Sequence, residues 1–168
     1  MGTGIIHPMD IIYLETTVVG NIAGRLHPDP KISWRQQVTR DWWAGAADHY
    51  TIVTSQLTLD ECGDGDPTAA AERLEILRGI PLLDQSAEVE ALAGLLIQRL
   101  AVPASEPRDA LHIATAAVHG VQFLVTWNFK HILNPHLQTK IAEGCRDAGF
   151  VPPVICTPEQ LRATENDP

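Results

Sequence analysis

The chain has 168 residues, 45% of them hydrophobic, the size and composition of one globular domain around one core. A fold of this length buries roughly 70% of the surface its unfolded chain exposes, so it needs neither a disulfide framework nor a structural metal, and any metal it binds is expected to be functional. With 21 acidic against 12 basic side chains and a net charge of -9, the balance argues against tight sequence-blind binding to RNA, whereas carboxylates that gather cations are compatible with it.

Ile11, Ile12, Tyr13 and Leu14 form a short apolar run that predicts a strand covered on both faces, and it ends abruptly at Glu15, Thr16 and Thr17. Gly20, Gly24, Pro28 and Pro30 then predict a short helix or turn followed by a loop. Over residues 31–50, Ile32, Trp34, Val38, Trp42 and Ala46 recur at three- and four-residue steps, which predicts an amphipathic helix with its tryptophans in the core. Residues 51–54 predict a second strand. Ser55 is the expected N-cap of a short helix through Leu57 that carries Glu61 near its end and stops at Gly63, Asp64 and Gly65. Asp66 and Pro67 open a further helix that closes at Gly79.

Residues 80–83 predict a third strand, placed at an edge by Pro81, and Ser86 caps a helix striped by Leu92, Leu95, Leu96 and Leu100. Pro107 opens another helix, with Asp109 in its first turn and Leu111, Ile113, Ala114, Ala117 and Val118 leading to a stop at Gly120. Residues 121–126 predict a strand that delivers Trp127 and Asn128 at its end. Asn134 and Pro135 are expected to cap a helix ending near Gly149. A strand over 154–156, a helical turn opened by Pro158 and a mobile polar tail from Glu165 to Pro168 complete the reading. Strands alternating with helices predict an α/β fold with a mostly parallel sheet, whose ligands lie outside the carboxyl ends of the strands, where Glu15 and Asn128 fall.

Cys62, Cys145 and Cys156 are odd in number and widely spaced, which predicts buried free thiols in a reducing compartment, and no His/Cys set has zinc spacing. The sequence has neither an N-terminal leader pattern nor an apolar stretch near the roughly 18 residues of a membrane span, so a cytoplasmic protein with no membrane contact is expected.

Taken singly, Glu15 and Asp109 read as acids that complement helix N-termini, and Glu61 as a solvated helix residue. Together the segments YLETT, SQLTLDE, DALHIATA and LVTWNFKHI, in that order, resemble the PIN-domain family and, within it, the VapC-like ribonuclease toxins. The likeness runs from about Ile11 to Ile155. It implies a three-layer α/β/α fold with about four to five strands, a single nuclease domain over residues 1–164, and a metal-dependent endoribonuclease that hydrolyses single-stranded or looped RNA. Matched by motif, Glu15 stands where the family usually has aspartate, Glu61 at its glutamate, Asp109 at its helix-opening aspartate and Asn128 where many members carry a fourth acid. The resemblance further implies a small antitoxin partner and a homodimer.

The chemistry of the residues supports the same site. Three carboxylates in one crevice repel unless a cation neutralises them, and Mg²⁺ or Mn²⁺ suits oxygen donors. Glu15, Asp109 and Glu61 are the expected ligands, and a water activated by the metal is the expected nucleophile. Asn128 completes the catalytic set while removing a charge, which favours one metal over two. Thr16, Arg108 and Lys130 are expected at the substrate, Thr16 also fixing waters or carboxylates, with Arg25 and Lys31 as further cations near the crevice. His112 and His131 read as packing residues, and Trp127 as packed on the sheet in preference to stacking a base. The alternative function is a PIN-like domain that binds RNA or protein without cleaving. A phosphotransfer enzyme ranks lower, because Glu15 occupies the position its nucleophilic aspartate would need.

Overall fold

A computed structural model describes residues 8–165. Five parallel strands form one sheet in the order β3-β2-β1-β4-β5: β1 (Ile11–Leu14), β2 (Thr51–Ser55), β3 (Leu82–Leu83), β4 (Phe123–Val125) and β5 (Val154–Cys156). The eight helices among the described residues are α1 (Thr16–Ile22), α2 (Pro30–His49), α3 (Gln56–Gly63), α4 (Pro67–Leu77), α5 (Ala87–Gln98), α6 (Pro107–Val118), α7 (Gln138–Asp147) and α8 (Pro158–Glu165).

The two-residue alternation of the strands separates two cores. Tyr13 of β1 and Leu124 of β4 join Leu92 and Leu96 of α5, Ile113 of α6 and Ile141 of α7 on one face. Ile12, Leu14 and Val125 point the other way, to Val18 and Val19 of α1, Trp42 of α2 and Leu161 of α8. Helices cover both faces, so the three-layer α/β/α arrangement is present with an all-parallel sheet of five strands. α7 packs tightly on α5: a methyl group on Gly144 would lie 2.8 Å from Leu96 Cδ2.

The chain builds outward from β1 through β2 to β3, then returns to place β4 on the other side of β1. The strand order reverses there, and a parallel sheet opens a crevice between the loops at such a point. The register pairs Leu14 with Val125, so the residues that follow, Glu15 and Thr126, leave the sheet side by side.

Several elements differ from their predicted bounds. Residues 121, 122 and 126 stay outside β4, and the third strand shrinks to Leu82 and Leu83, which remain an edge as Pro81 requires. Pro30 is the first residue of α2, with Asp29 as the cap accepting from Lys31 N at 2.8 Å, so the helix begins earlier than its apolar stripe. Asn134 does not cap α7: its Oδ1 accepts from His136 N at 3.0 Å, and α7 starts at Gln138. Trp42 is buried but Trp34 is 49% exposed, so only part of the tryptophan stripe is core. The three cysteines are free and buried, and burial pushes the Cys62 and Cys156 thiols up to about 12 and Cys145 to about 11. Among the described residues no helix is long and apolar enough to cross a membrane. Of the predicted mobile tail, residues 166–168 lie outside the described residues.

Candidate active site

Glu15 follows β1 directly and is the N-cap of α1, a position that needs an acceptor for the free amides of the first turn. Its Oε2 accepts from Thr17 N at 3.0 Å, from Thr126 Oγ1 at 2.8 Å and from Thr17 Oγ1 in a short contact. The carboxyl is 3% exposed. Burial raises its pKa above the usual carboxylate range, against the opposing pull of His112 and the threonine hydrogen bonds.

Glu61 lies near the end of α3, half-buried. Its Oε1 accepts from Thr16 Oγ1 at 2.7 Å and faces His112 Nε2 at 2.6 Å, while Arg108 Nη1 lies 4.0 Å from Oε2. Burial works to raise this carboxyl, but His112, Thr16 and Arg108 together hold it below its ordinary value. His112 is fully buried on α6, with Nδ1 2.6 Å from the Tyr13 hydroxyl, which in turn contacts Ser55 Oγ at 2.7 Å. Burial pulls the imidazole down; Tyr13, the Glu61 hydrogen bond and the charges of Glu15 and Glu61 outweigh it and raise the pKa to about 10. His112 is a satisfied packing residue, as its setting in an apolar helix suggests, and it also orients Glu61.

Asp109 stands in the first turn of α6, and its Oδ2 lies 3.0 Å from His131 Nδ1. His131 is carried there by a turn that Asn128 organises: Asn128 Oδ1 accepts from His131 N at 3.0 Å, and Asn128 N donates to Thr126 Oγ1 at 2.9 Å. Glu106 is the N-cap of α6 but makes no side-chain capping bond. Among the described residues, one set of three metal-type donors has its ligand atoms within 4.8 Å of one another: Glu106, Asp109 and His131.

Hydrogen bonds therefore link the sequence-predicted residues in one chain, from Glu15 through Thr126 to Asn128, then through His131 to Asp109. Glu61 joins by way of Thr16, the first residue of the helix that Glu15 caps. The carboxylates of Glu15, Glu61 and Asp109 do not themselves form a group within 4.8 Å, because each is turned to its own donors. Arg108 is exposed and lies 3.9 Å from Asp64 as well as near Glu61; Lys130, Arg25 and Lys31 are exposed. Trp127 is packed, 5% exposed, with Nε1 donating to Thr39 Oγ1 at 2.9 Å.

The sequence reading left out Glu106 and took His131 for a packing residue; the structure corrects the second, because the turn after β4 sets His131 Nδ1 against the Asp109 carboxylate. Glu106 precedes Asp109 by three positions and His131 follows Asn128 by three, a spacing that returns a side chain to the same side of a helical turn. Two carboxylates and an imidazole are a donor set that could hold a divalent cation, and Asp109 and His131 already meet there through a hydrogen bond of 3.0 Å.

The family profile described as "PIN domain" matches residues 12–130. No curated protein matched, and no solved structure matched. The matched span runs from β1 to the turn beyond β4, and so includes Glu15, Glu61, Asp109 and Asn128. With 119 of 168 residues covered, the chain belongs to the PIN domain family, whose members are generally metal-dependent nucleases.

Proposed function

We propose that this protein is a metal-dependent endoribonuclease that hydrolyses single-stranded or looped RNA, and that it is the VapC-like toxin of a toxin-antitoxin pair. The observation that carries the reading is the Asp109 carboxylate, within the span matched by the PIN domain profile, whose ligand atom lies within 4.8 Å of those of Glu106 and of His131, the residue just past that span.

Asp109 and Glu106 would hold Mg²⁺ or Mn²⁺ through oxygen, with His131 as a nitrogen donor and Glu15 and Glu61 completing the negative site. When bound, the cation supplies positive charge for the phosphate oxygens and lowers the pKa of a water. Glu61, with His112 and Thr16 favouring its ionised form, would orient the attacking water. Arg108, exposed beside Glu61, would contact the substrate phosphate, with Lys130 as a second cation. Thr16 has its hydroxyl on Glu61 and acts by holding that carboxylate. Asn128 holds the turn that brings His131 to Asp109, which gives this neutral residue a role in the site without a charge.

The surrounding assignments belong to the same proposal: one nuclease domain over residues 1–164, a homodimer in the cytoplasm, and a small antitoxin whose basic residues meet the acidic surface. The test is incubation of labelled RNA with protein and increasing Mn²⁺, beside Asp109→Asn. Metal-dependent cleavage by the wild type that Asp109→Asn loses is expected; no cleavage at high protein concentration would sink the assignment.

One observation favours a second reading, a PIN domain that binds RNA or protein without cleaving. Glu15 Oε2 already accepts three hydrogen bonds, so this carboxylate is committed to capping α1 as well as to any metal. Binding of RNA without metal-dependent cleavage would select that reading.

A further inference from the structure

Beside the acidic crevice lies an aromatic surface that the metal chemistry does not use. Trp127 forms its floor, 5% exposed, and is fixed at both ends. Its indole donates to Thr39, and its backbone N–H donates to Thr17 Oγ1 at 2.8 Å, the same hydroxyl that contacts Glu15. Trp34 meets this floor edge-on, with ring centroids 6.4 Å apart, and Phe129 flanks it at 6.0 Å. Both flanking rings are half in solvent, Trp34 49% and Phe129 48% exposed.

Arg35 completes the surface. Its guanidinium carbon lies 5.0 Å from the Trp127 ring centre and 5.6 Å from that of Phe129. Among the described residues it has no ion-pair partner, and its Nε is buried without a hydrogen bond. A cleft of about 420 Å³ lined by Pro30, Lys31, Trp34 and Arg35 opens next to these rings, within the size range of small-ligand sites. On a chain of net charge -9, two exposed rings beside an unpaired arginine and an exposed lysine form a local site for a planar, anionic ligand.

We infer that Trp34, Phe129 and Arg35 form a nucleobase-stacking subsite that holds single-stranded RNA beside the acidic crevice. The inference rests on the nuclease reading for its substrate, but not on cleavage for its test. Stacking tolerates any base, because every base offers a π-face, and the flanking cations meet the adjoining phosphates. The packed Trp127 acts as a positioning residue: it carries Phe129 two residues further along and ties the platform to the Thr17 hydroxyl that also holds Glu15.

The experiment measures binding of a labelled single-stranded oligonucleotide with non-cleavable linkages, by fluorescence anisotropy in EDTA. An abasic oligonucleotide of equal charge, a DNA strand and a mononucleotide serve as comparison arms. Trp34→Ala and Phe129→Ala are each expected to weaken the base-containing strand by roughly 5- to 100-fold, with Trp34→Phe retaining most of the affinity. The abasic strand should bind weakly to wild type and ignore Trp34→Ala. Arg35→Gln should lower affinity and flatten its salt dependence. Thermal midpoints of the two ring variants should stay near wild type, because both rings are half exposed.

Equal affinity of wild type and Trp34→Ala, or equal binding of abasic and base-containing strands, would overturn the platform. So would a wild type that binds no strand. Cleavage assays with Mn²⁺ separate this from the nuclease reading: intact cleavage with an unchanged KM in Trp34→Ala removes the platform alone. Ring-dependent binding without cleavage by the wild type removes the nuclease and leaves the platform.

Discussion

His112 Nε2 lies 2.6 Å from Glu61 Oε1, and the same ring reaches the Tyr13 hydroxyl with its other nitrogen, so one buried imidazole connects the centre of β1 to an acid at the end of α3. This contact replaces water around Glu61 with a fixed donor and keeps the carboxylate ionised. It also makes the fold depend on protonation of a histidine inside the core.

Replacing that histidine takes one partner from Glu61, which keeps Thr16, and one from the Tyr13 hydroxyl, which keeps Ser55. His112→Gln should lower unfolding free energy by about 2–3 kcal/mol, below the full loss for a wholly buried ion pair because Glu61 is partly solvated. Urea unfolding of the two proteins is the measurement. An unchanged midpoint would show that the contact adds nothing to stability.

The pH dependence has a definite sign. The pKa of folded His112, about 10, lies above its ordinary 6.5, so its stabilisation is fully present below 6.5 and is lost as pH rises through 10. Glu61 is lowered from 4.5, so its contribution is present above 4.5 and lost as pH falls through its folded value. Thermal midpoints should therefore fall steadily from about pH 6.5 toward 10, and His112→Gln should remove most of that slope. A slope unchanged in the variant would assign the titration to other groups.

Glu15 is buried with its pKa raised, so its charged form costs stability above the ordinary carboxylate range, and that cost grows as pH rises through its folded value. Glu15→Gln keeps an oxygen to accept from Thr17 and Thr126 and removes the buried charge. Its thermal midpoint at pH 7 should exceed wild type by a few degrees, each kcal/mol giving about 2–4 °C for a chain of this size, while metal-dependent cleavage falls at least about a hundredfold. Calorimetry and a cleavage assay on the same preparation test the two halves. A lower midpoint would mean that the carboxylate charge stabilises α1.

Mn²⁺ should raise the thermal midpoint of the wild type, because an ion that binds only the folded state stabilises it by mass action. Asp109→Asn should abolish that rise, and His131→Gln should weaken Mn²⁺ binding about 10- to 100-fold. Titration calorimetry reads the affinities without any need for RNA. Full Mn²⁺ affinity in His131→Gln would exclude His131 from the ligand set.

Local patterning was enough to place most elements: the apolar run of β1, the caps Ser55, Asp66 and Ser86, and Pro107 at the start of α6 all act within a few residues of themselves. Those elements put Glu15 at a strand end, Glu61 near a helix end and Asp109 in a first turn, and each position follows from short-range hydrogen bonding. Helix starts defined by loops were less legible: Asn134 has the chemistry of a cap but spends it on His136, and α7 begins where packing against α5 can start. Which side chains meet was decided only by the tertiary structure. His112 finds Tyr13 and Glu61 across separations of 99 and 51 residues, and His131 finds Asp109 across 22, because the strand order sets β1 between β2 and β4. Periodicity carries the facing of a residue within its own element, whereas the partner across the crevice depends on how the sheet is ordered, and no local interaction encodes that order.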